Sequence, residues 1–285
     1  MSGKVLLLGH TGKMGTAIIK VFKDGFVITG KSSADFNALE PESSKKLIEE
    51  TKPDIVINAV AFLGIDPCEK EAEKAFSMNA LFPRHLAELS NKHDFLLVHF
   101  STDAVFNDKK GDFYVEKDMP QPLNVYGSTK YSGDCLVQAI ANKYYIFRIP
   151  VLFGETVKNN QFVEKMFQKA AEGSKCVKVA GDIMSVPTYS YDVACEIKKI
   201  IEKPYPFGLY HIANSELGSL YDLMKEIADN LNSGIKVEKA SFKDFPYVGI
   251  KNTYTPIRSE KLKSMRPWKE AVKDYCSKMR NKSGG

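Results

Sequence analysis

Residues 4–22 leave few choices for how the fold begins. Lys4-Val-Leu-Leu-Leu8 is a short, almost wholly apolar run, the pattern of a parallel strand buried on both faces. It leads directly into Gly9-His-Thr-Gly12-Lys-Met-Gly15, after which Thr16–Phe22 has the amphipathic period of a helix. The alternation then repeats. Strand-like runs at Phe26–Thr29, Asp54–Asn58, Phe95–Phe100 and Tyr144–Arg148 are separated by helical patterns at Glu42–Glu50, Glu69–Asn91 and Tyr126–Asn142. Strands alternating with helices predict βαβ units, hence an α/β fold with a doubly wound parallel sheet of Rossmann type.

After Pro150 the rhythm loosens. The pattern predicts a helix over Gln161–Glu172 stopped by Gly173, strand and loop over Lys175–Pro187, and a helix over Tyr191–Lys203. A strand at Gly208–Ala213, a helix at Ser219–Asn232 with Ser219 as N-cap, a short strand at Lys236–Ala240 and a final helix at Pro267–Arg280 complete the chain. This predicts a dinucleotide-binding domain over residues 1–155, rejoined by 188–213, and a smaller C-terminal α/β substrate lobe from 156–187 and 214–285.

Composition narrows the partners. The net charge of +5 arises from 40 basic and 35 acidic residues spread along the chain. That is too mild and scattered for a nucleic-acid footprint, and suits an anionic small molecule. No apolar run approaches ~18 residues, so no membrane span is expected. Five cysteines, an odd number without a Cys-x-x-Cys, read as reduced thiols and point to the cytoplasm. The five histidines show no ligand spacing, so no metal is expected.

Four constellations carry chemistry. Gly9, Gly12 and Gly15 lie between a buried strand and a helix, where a backbone without side chains can approach a pyrophosphate and unpaired N–H groups can bind it. Thr11, Lys13 and Met14 of the same loop are then cofactor neighbours; the competing reading is tight strand–helix packing alone. At the end of the second strand, where an acidic residue would hold an adenosine ribose, stands Thr29-Gly30-Lys31-Ser32-Ser33. Lys31 and the two serine hydroxyls, Ser32 and Ser33, suit a 2′-phosphate and favour NADPH, with NADH as the alternative and a solvated loop charge as the plain reading of Lys31. Asp35 and Phe36 are placed to meet the adenine. Asn58-Ala59-Val60-Ala61 leaves room at the carboxyl edge of the third strand, and Ser101-Thr102-Asp103 puts hydroxyls at that of the fourth. Finally, Tyr126 and Lys130 share one helical face, where an ammonium would stabilise a phenolate and lower the tyrosine pKa.

In this order and spacing the four motifs resemble those of extended short-chain dehydrogenase/reductases. Val60–Glu69 followed by Asn79, Ser101-Thr-Asp-Ala-Val-Phe106, Pro122–Gly133, Arg148, Pro187-Thr-Tyr-x-x-Asp192 and Tyr210-His-Ile-Ala-Asn214 resemble the dTDP-4-dehydrorhamnose reductase family over nearly the whole chain. The resemblance implies NAD(P)H-dependent reduction of the 4-keto group of a nucleotide-linked 6-deoxyhexose, in surface polysaccharide synthesis. Tyr126 would protonate the developing alkoxide, Lys130 would tune it and hold the nicotinamide ribose, and Thr102 would bond the keto oxygen. Asn79, Ser101 and Ile149 would also line the cofactor, and Phe62, Asp66, Asp103, Ala104 and Val151 the sugar nucleotide. The superfamily commonly dimerises. The chain departs from the family at Ala104, usually Tyr, and at Ile149-Pro-Val-Leu-Phe-Gly154, which is closer to the regulatory β subunit of methionine adenosyltransferase. A regulatory subunit, and a nucleotide-sugar epimerase with Cys68 as an extra acid–base group, are the other readings.

Overall fold

A computed structural model describes residues 3–157, 163–164, 172, 175–203 and 205–283. Six parallel strands form the central sheet: β1 Gly3–Leu8, β2 Phe26–Lys31, β3 Ile55–Asn58, β4 Leu96–Thr102, β5 Tyr144–Ile149 and the later Gly208–His211, in the order β2-β1-β3-β4-β5 with Gly208–His211 at the far edge. Register runs Leu8 beside Asn58 and Asn58 beside His99, so the carboxyl ends of β1, β3 and β4 line up. The chain reverses direction of winding between β1 and β3, and the crevice opens at that point.

Strand β1 shows why the sheet is covered on both sides. Val5 and Leu7 face one core, with Ala17, Ile18 and Phe22 of helix α1 (Lys13–Phe22) and Val193, Ala194 and Ile197 of the helix Ser190–Glu202. Leu6 and Leu8 face the other, with Leu47 and Ile48 of α2 (Pro41–Thr51), Phe82 and Leu86 of the helix Phe82–His93, and Val137 of Val125–Ile140. A strand apolar and buried from Val5 to Leu8 has no solvent face to offer there, so helices must cover both.

The helical stretch expected over Glu69–Asn91 is interrupted. It divides into α3 (Ile65–Lys70), α4 (Ala72–Phe76), a π-turn at Ser77–Leu81, and α5 (Phe82–His93). Pro83 supplies the reason: it has no N–H for the carbonyl of Asn79 and its ring would crowd that carbonyl, so the turn widens. Helix α6 (Val125–Ile140) then packs close by, and a Cβ on Gly133 would lie 2.3 Å from the Asn79 carbonyl oxygen.

The C-terminal part has its own core, in which Trp268 is 1 % exposed among Phe153, Tyr189, Leu223, Val272 and Tyr275. The strands Cys176–Ala180 and Lys236–Ala240 pair in parallel beside it, the second at the expected bounds. Ser219 caps the helix Leu220–Leu231 through a capping box with Asp222. The helix Ser190–Glu202 packs on the main sheet and Gly208–His211 pairs with β5. The helix expected at Gln161–Glu172, with its Gly173 stop, lies outside the described residues apart from 163, 164 and 172.

Candidate active site

The glycine loop is shaped by contacts that exclude side chains. Gly9 has φ +86°, and a Cβ there would meet the Ala59 carbonyl at 2.8 Å. On Gly15 it would lie 2.4 Å from the Gly9 carbonyl, whereas on Gly12 the space is open apart from one atom at 3.6 Å. Gly9 N–H donates to the Lys31 carbonyl at 2.7 Å, which fastens the loop to the end of β2. Gly12, the N-cap of α1, has no side chain with which to cap the first turn. The positive dipole end of a helix beside an open glycine therefore fits a pyrophosphate.

This loop opens onto a cavity of about 420 Å³ lined by Gly9, Thr11, Gly12, Lys13, Met14 and Gly15. Ser32, Ala59, Val60, Ala61, Ser101, Thr102, Tyr126, Lys130 and Ile149 complete the expected residues on its wall. Motifs more than a hundred positions apart in sequence thus share one cleft. Ser33, of the expected 2′-phosphate edge, lines it too, as do Leu63, Met78, Phe100, Pro150 and Leu152, to which no site role was assigned. Leu63, Met78 and Phe100 each adjoin a residue that was singled out, Phe62, Asn79 and Ser101, and Pro150 and Leu152 belong to the stretch noted as departing from the family.

The remaining expected residues lie off the wall. Lys31 offers the loop its carbonyl, and its half-buried side chain stands beyond the lining residues. Asp35 accepts from the Ser32 N–H at 2.7 Å and hydroxyl at 2.8 Å; the Ser32 backbone bond is the main reason its carboxyl pKa is lowered, so it shapes the turn that presents Ser32. Phe36, expected beside the adenine, lies in the core instead: it is 8 % exposed, with its ring 6.1 Å from that of Phe82 on the apolar face of α5. Asn58 accepts from the Val60 N–H at 3.1 Å. Asn79 clamps the backbone of Phe62 from both sides, at 2.9 and 3.0 Å, and donates to Thr129 at 3.1 Å. Asp66 accepts from the Val248 and Gly249 N–H groups. Asp103 accepts from Ser185 and Thr255 of the C-terminal part, at 2.9 and 3.0 Å. The Phe62 ring lies 4.9 Å beneath Lys74, Ala104 N–H bonds Thr102, and the Val151 carbonyl accepts from Thr188.

Helix α6 places Tyr126 and Lys130. Asn124 caps it, accepting from the Gly127 N–H at 2.8 Å, so Tyr126 sits in the first turn and Lys130 one turn on. Lys130 is 2 % exposed; its ammonium donates to the Phe100 carbonyl at 2.5 Å and lies 3.4 Å from His99 Nε2. Burial lowers its pKa to about 8, against the pull of Asp134. His99, held on its other side by Asn58 at 3.2 Å, is pushed well below its usual value by burial and by Lys130, and is neutral. The expectation that Tyr126 is more acidic than usual is corrected: burial raises its pKa, and the opposing effect comes from the Thr102 hydroxyl. The Lys130 ammonium points its bonds at Phe100 and His99 instead. Beneath them Asp134 pairs with Arg148 at 3.0 Å, both almost fully buried.

All five cysteines are free thiols, and Cys68 is buried with its pKa raised to about 11. Among the described residues no group of three His, Cys, Asp or Glu side chains could hold a metal ion, and no helix is long and apolar enough to cross a membrane.

Known proteins share this architecture. The spore coat polysaccharide biosynthesis protein SpsK of Bacillus subtilis is 29 % identical over 277 residues, which is 95 % of this chain and 96 % of SpsK. Methionine adenosyltransferase 2 subunit beta of Rattus norvegicus is 30 % identical over 244 residues, 81 % of this chain and 73 % of that one. A crystal structure of dTDP-4-dehydrorhamnose reductase from Bacillus anthracis, in complex with NADP, superposes with a TM-score of 0.90 at 26 % identity, covering 98 % of this chain and 100 % of that one. The family model described as the RmlD substrate binding domain matches residues 3–281. The chain belongs to this family, that of the dTDP-4-dehydrorhamnose reductases.

Proposed function

We propose that the protein is an NAD(P)H-dependent oxidoreductase that reduces the 4-keto group of a nucleotide-activated 6-deoxyhexose, with dTDP-4-dehydrorhamnose as the leading substrate, for the synthesis of a surface polysaccharide. The observation that carries it is the convergence of Thr102, Tyr126 and Lys130 with the glycine loop on one cavity. The relative crystallised with NADP supports NADPH as the cofactor, and the Ser32 and Ser33 hydroxyls on the wall fit a 2′-phosphate better than an acidic residue would.

When bound, the reduced dinucleotide supplies a hydride. The chain's residues do the rest. The Gly12–Gly15 turn holds the pyrophosphate, and Lys130 bonds the ribose next to the nicotinamide. Thr102 directs its hydroxyl at the keto oxygen, which fixes that oxygen against Tyr126. Burial keeps Tyr126 protonated at neutral pH, so it is loaded to donate as negative charge grows on the oxygen. An alkoxide is a far stronger base than a phenolate, so the transfer runs downhill even with the tyrosine pKa raised.

Tyr126→Phe tests the assignment. NADPH oxidation with dTDP-4-dehydrorhamnose should fall by roughly 10²–10⁴-fold while NADPH affinity is kept. Unchanged turnover would sink it. The relationship to methionine adenosyltransferase 2 subunit beta favours a second reading, a dinucleotide-binding regulatory subunit. Protein that oxidises no NADPH with keto-sugars but shifts the activity of a partner enzyme would establish that instead. The raised thiol pKa of Cys68 weighs against an epimerase that uses it as a base.

A further inference from the structure

We propose that Glu164 competes with the cofactor's pyrophosphate for the ammonium of Lys13, and thereby limits how tightly the dinucleotide is held. The proposal rests on a dinucleotide at the glycine loop and not on the identity of the sugar.

The ion pair is the first reason. Lys13 opens helix α1 directly after Gly12 and lines the cofactor cavity, yet its ammonium donates to Glu164 Oε2 at 3.1 Å. The two side chains are 6 % and 16 % exposed. A carboxylate beside an anion site carries the wrong charge for the ligand, because its field opposes the approach of two phosphates. Lys13 offsets that field, and what its ammonium gives to Glu164 it withholds from the pyrophosphate. Burial lowers the Lys13 pKa by more than Glu164 raises it. One carboxylate therefore leaves part of the desolvation uncompensated, and a second anion stabilises the charged form.

Anchoring is the second. Val163, next to Glu164, is buried in the C-terminal core with Val177, Tyr189 and Leu223. Phe153 belongs to the same core, its ring stacked on that of Tyr189 at 5.3 Å. The chain that leaves β5 is thus pinned at Phe153 and Val163, and from there it reaches back to the cofactor loop and its helix three times. Thr156 donates its hydroxyl to the Thr11 carbonyl at 3.2 Å, Glu155 pairs with Lys20 of α1, and Glu164 pairs with Lys13. The C-terminal core holds the Glu164 backbone, while Lys13 has a four-carbon stem on which to turn. A lysine that turns to a phosphate leaves Glu164 behind.

The sign of one substitution separates this from a plain brace. A pair that only steadied the loop would loosen the cofactor when broken; a pair that competes tightens it. Glu164→Gln keeps the size and a carbonyl oxygen but removes the charge. In calorimetric titrations of the full-length protein, NADPH and NADH should each bind this variant roughly tenfold more tightly than wild type, the usual weight of one charge-assisted phosphate contact. Adenosine 2′-monophosphate, which has nothing at the pyrophosphate position, should shift less than twofold. Lys13→Met should weaken both dinucleotides more than tenfold, and adding Glu164→Gln to it should recover most of that loss. Thermal unfolding reports that the variants are folded. Dinucleotide affinity in Glu164→Gln equal to or below that of wild type overturns the proposal and leaves the pair a brace. An equal gain for adenosine 2′-monophosphate overturns it too, because Glu164 would then act on the whole site and not on the pyrophosphate. Failure of the wild type to bind either dinucleotide overturns it together with the cofactor. The expected shifts in a protein that reduces no keto-sugar would refute the reductase and leave this competition standing.

Discussion

Gly127 is the position where one added methyl group should separate folding from catalysis. Helix α6 meets the turn Asp103–Val105 so closely that a Cβ on Gly127 would lie 2.2 Å from the Ala104 carbonyl oxygen and 3.0 Å from the Pro122 side chain. Ordinary contact begins at 3.4 Å, so the helix and the turn must part by more than about 1 Å. Tyr126 is on one side of that contact, and Thr102, two residues before Ala104, is on the other. Gly127→Ala therefore widens the gap across which both hydroxyls address a single keto oxygen. A misplacement of about 1 Å lowers turnover by roughly 10²-fold, while overpacking of this kind destabilises by about 1–3 kcal/mol. Steady-state NADPH oxidation gives kcat, fluorescence titration gives the NADPH affinity, and thermal unfolding reports stability. kcat should fall by about two decades with NADPH affinity within a few-fold of wild type. A folded Gly127→Ala protein with kcat within twofold of wild type would refute the claim that this contact sets the spacing.

Other expectations follow from the same site. Lys130 has a folded-state pKa of about 8 against 10.5 when unfolded, so between those values the unfolded chain holds more protons and stability rises with pH. Lys130→Met should then stabilise the cofactor-free protein at pH 7, by up to about 3 kcal/mol, while abolishing turnover, and the stability difference should vanish above pH 10.5; urea titrations across pH decide it. Asp134→Ala leaves Arg148 buried without its counter-ion, at 3 % exposure, and should lower unfolding free energy by roughly 3–5 kcal/mol, measured in urea. Lys31→Ala should weaken NADPH more than NADH if the lysine swings to a 2′-phosphate; equal losses for the two would remove it from cofactor discrimination.

What was legible in the sequence was local. The apolar run Lys4–Leu8, the glycines after it and the four-residue step from Tyr126 to Lys130 each express a short-range rule, and each element formed within a few residues of its expected bounds. Helix α1 begins at Lys13 because Gly12 itself serves as the N-cap. What was hidden depends on long-range partners. Asp103 and Asp66 tie to Ser185, Thr255, Val248 and Gly249, between 82 and 183 positions away, and no local pattern encodes such bonds. Phe36 looked free to meet a ligand because the face of α5 that buries it is set by tertiary packing. Tyr126 was misjudged electrostatically for the same reason: spacing brings Lys130 to its face, but burial decides the pKa.

The widened turn at Ser77–Leu81 has a consequence for the phase of everything after it. Each α-helical residue advances the side-chain direction by about 100°. A turn that holds one residue more thus rotates the following helix relative to an unbroken one. The widened turn sets Phe82, Leu86 and Leu89 in the core beneath the sheet, while Ala75, seven positions before Phe82 and on its face in an unbroken helix, is buried outside that cluster. Within the turn, Asn79 and Met78 face the loop after β3 and the cavity. Removing Ser77 would let the turn close to a regular helix with the downstream stripe still facing the sheet, so the cost of that deletion should fall on the placement of Asn79 and Met78 rather than on the core.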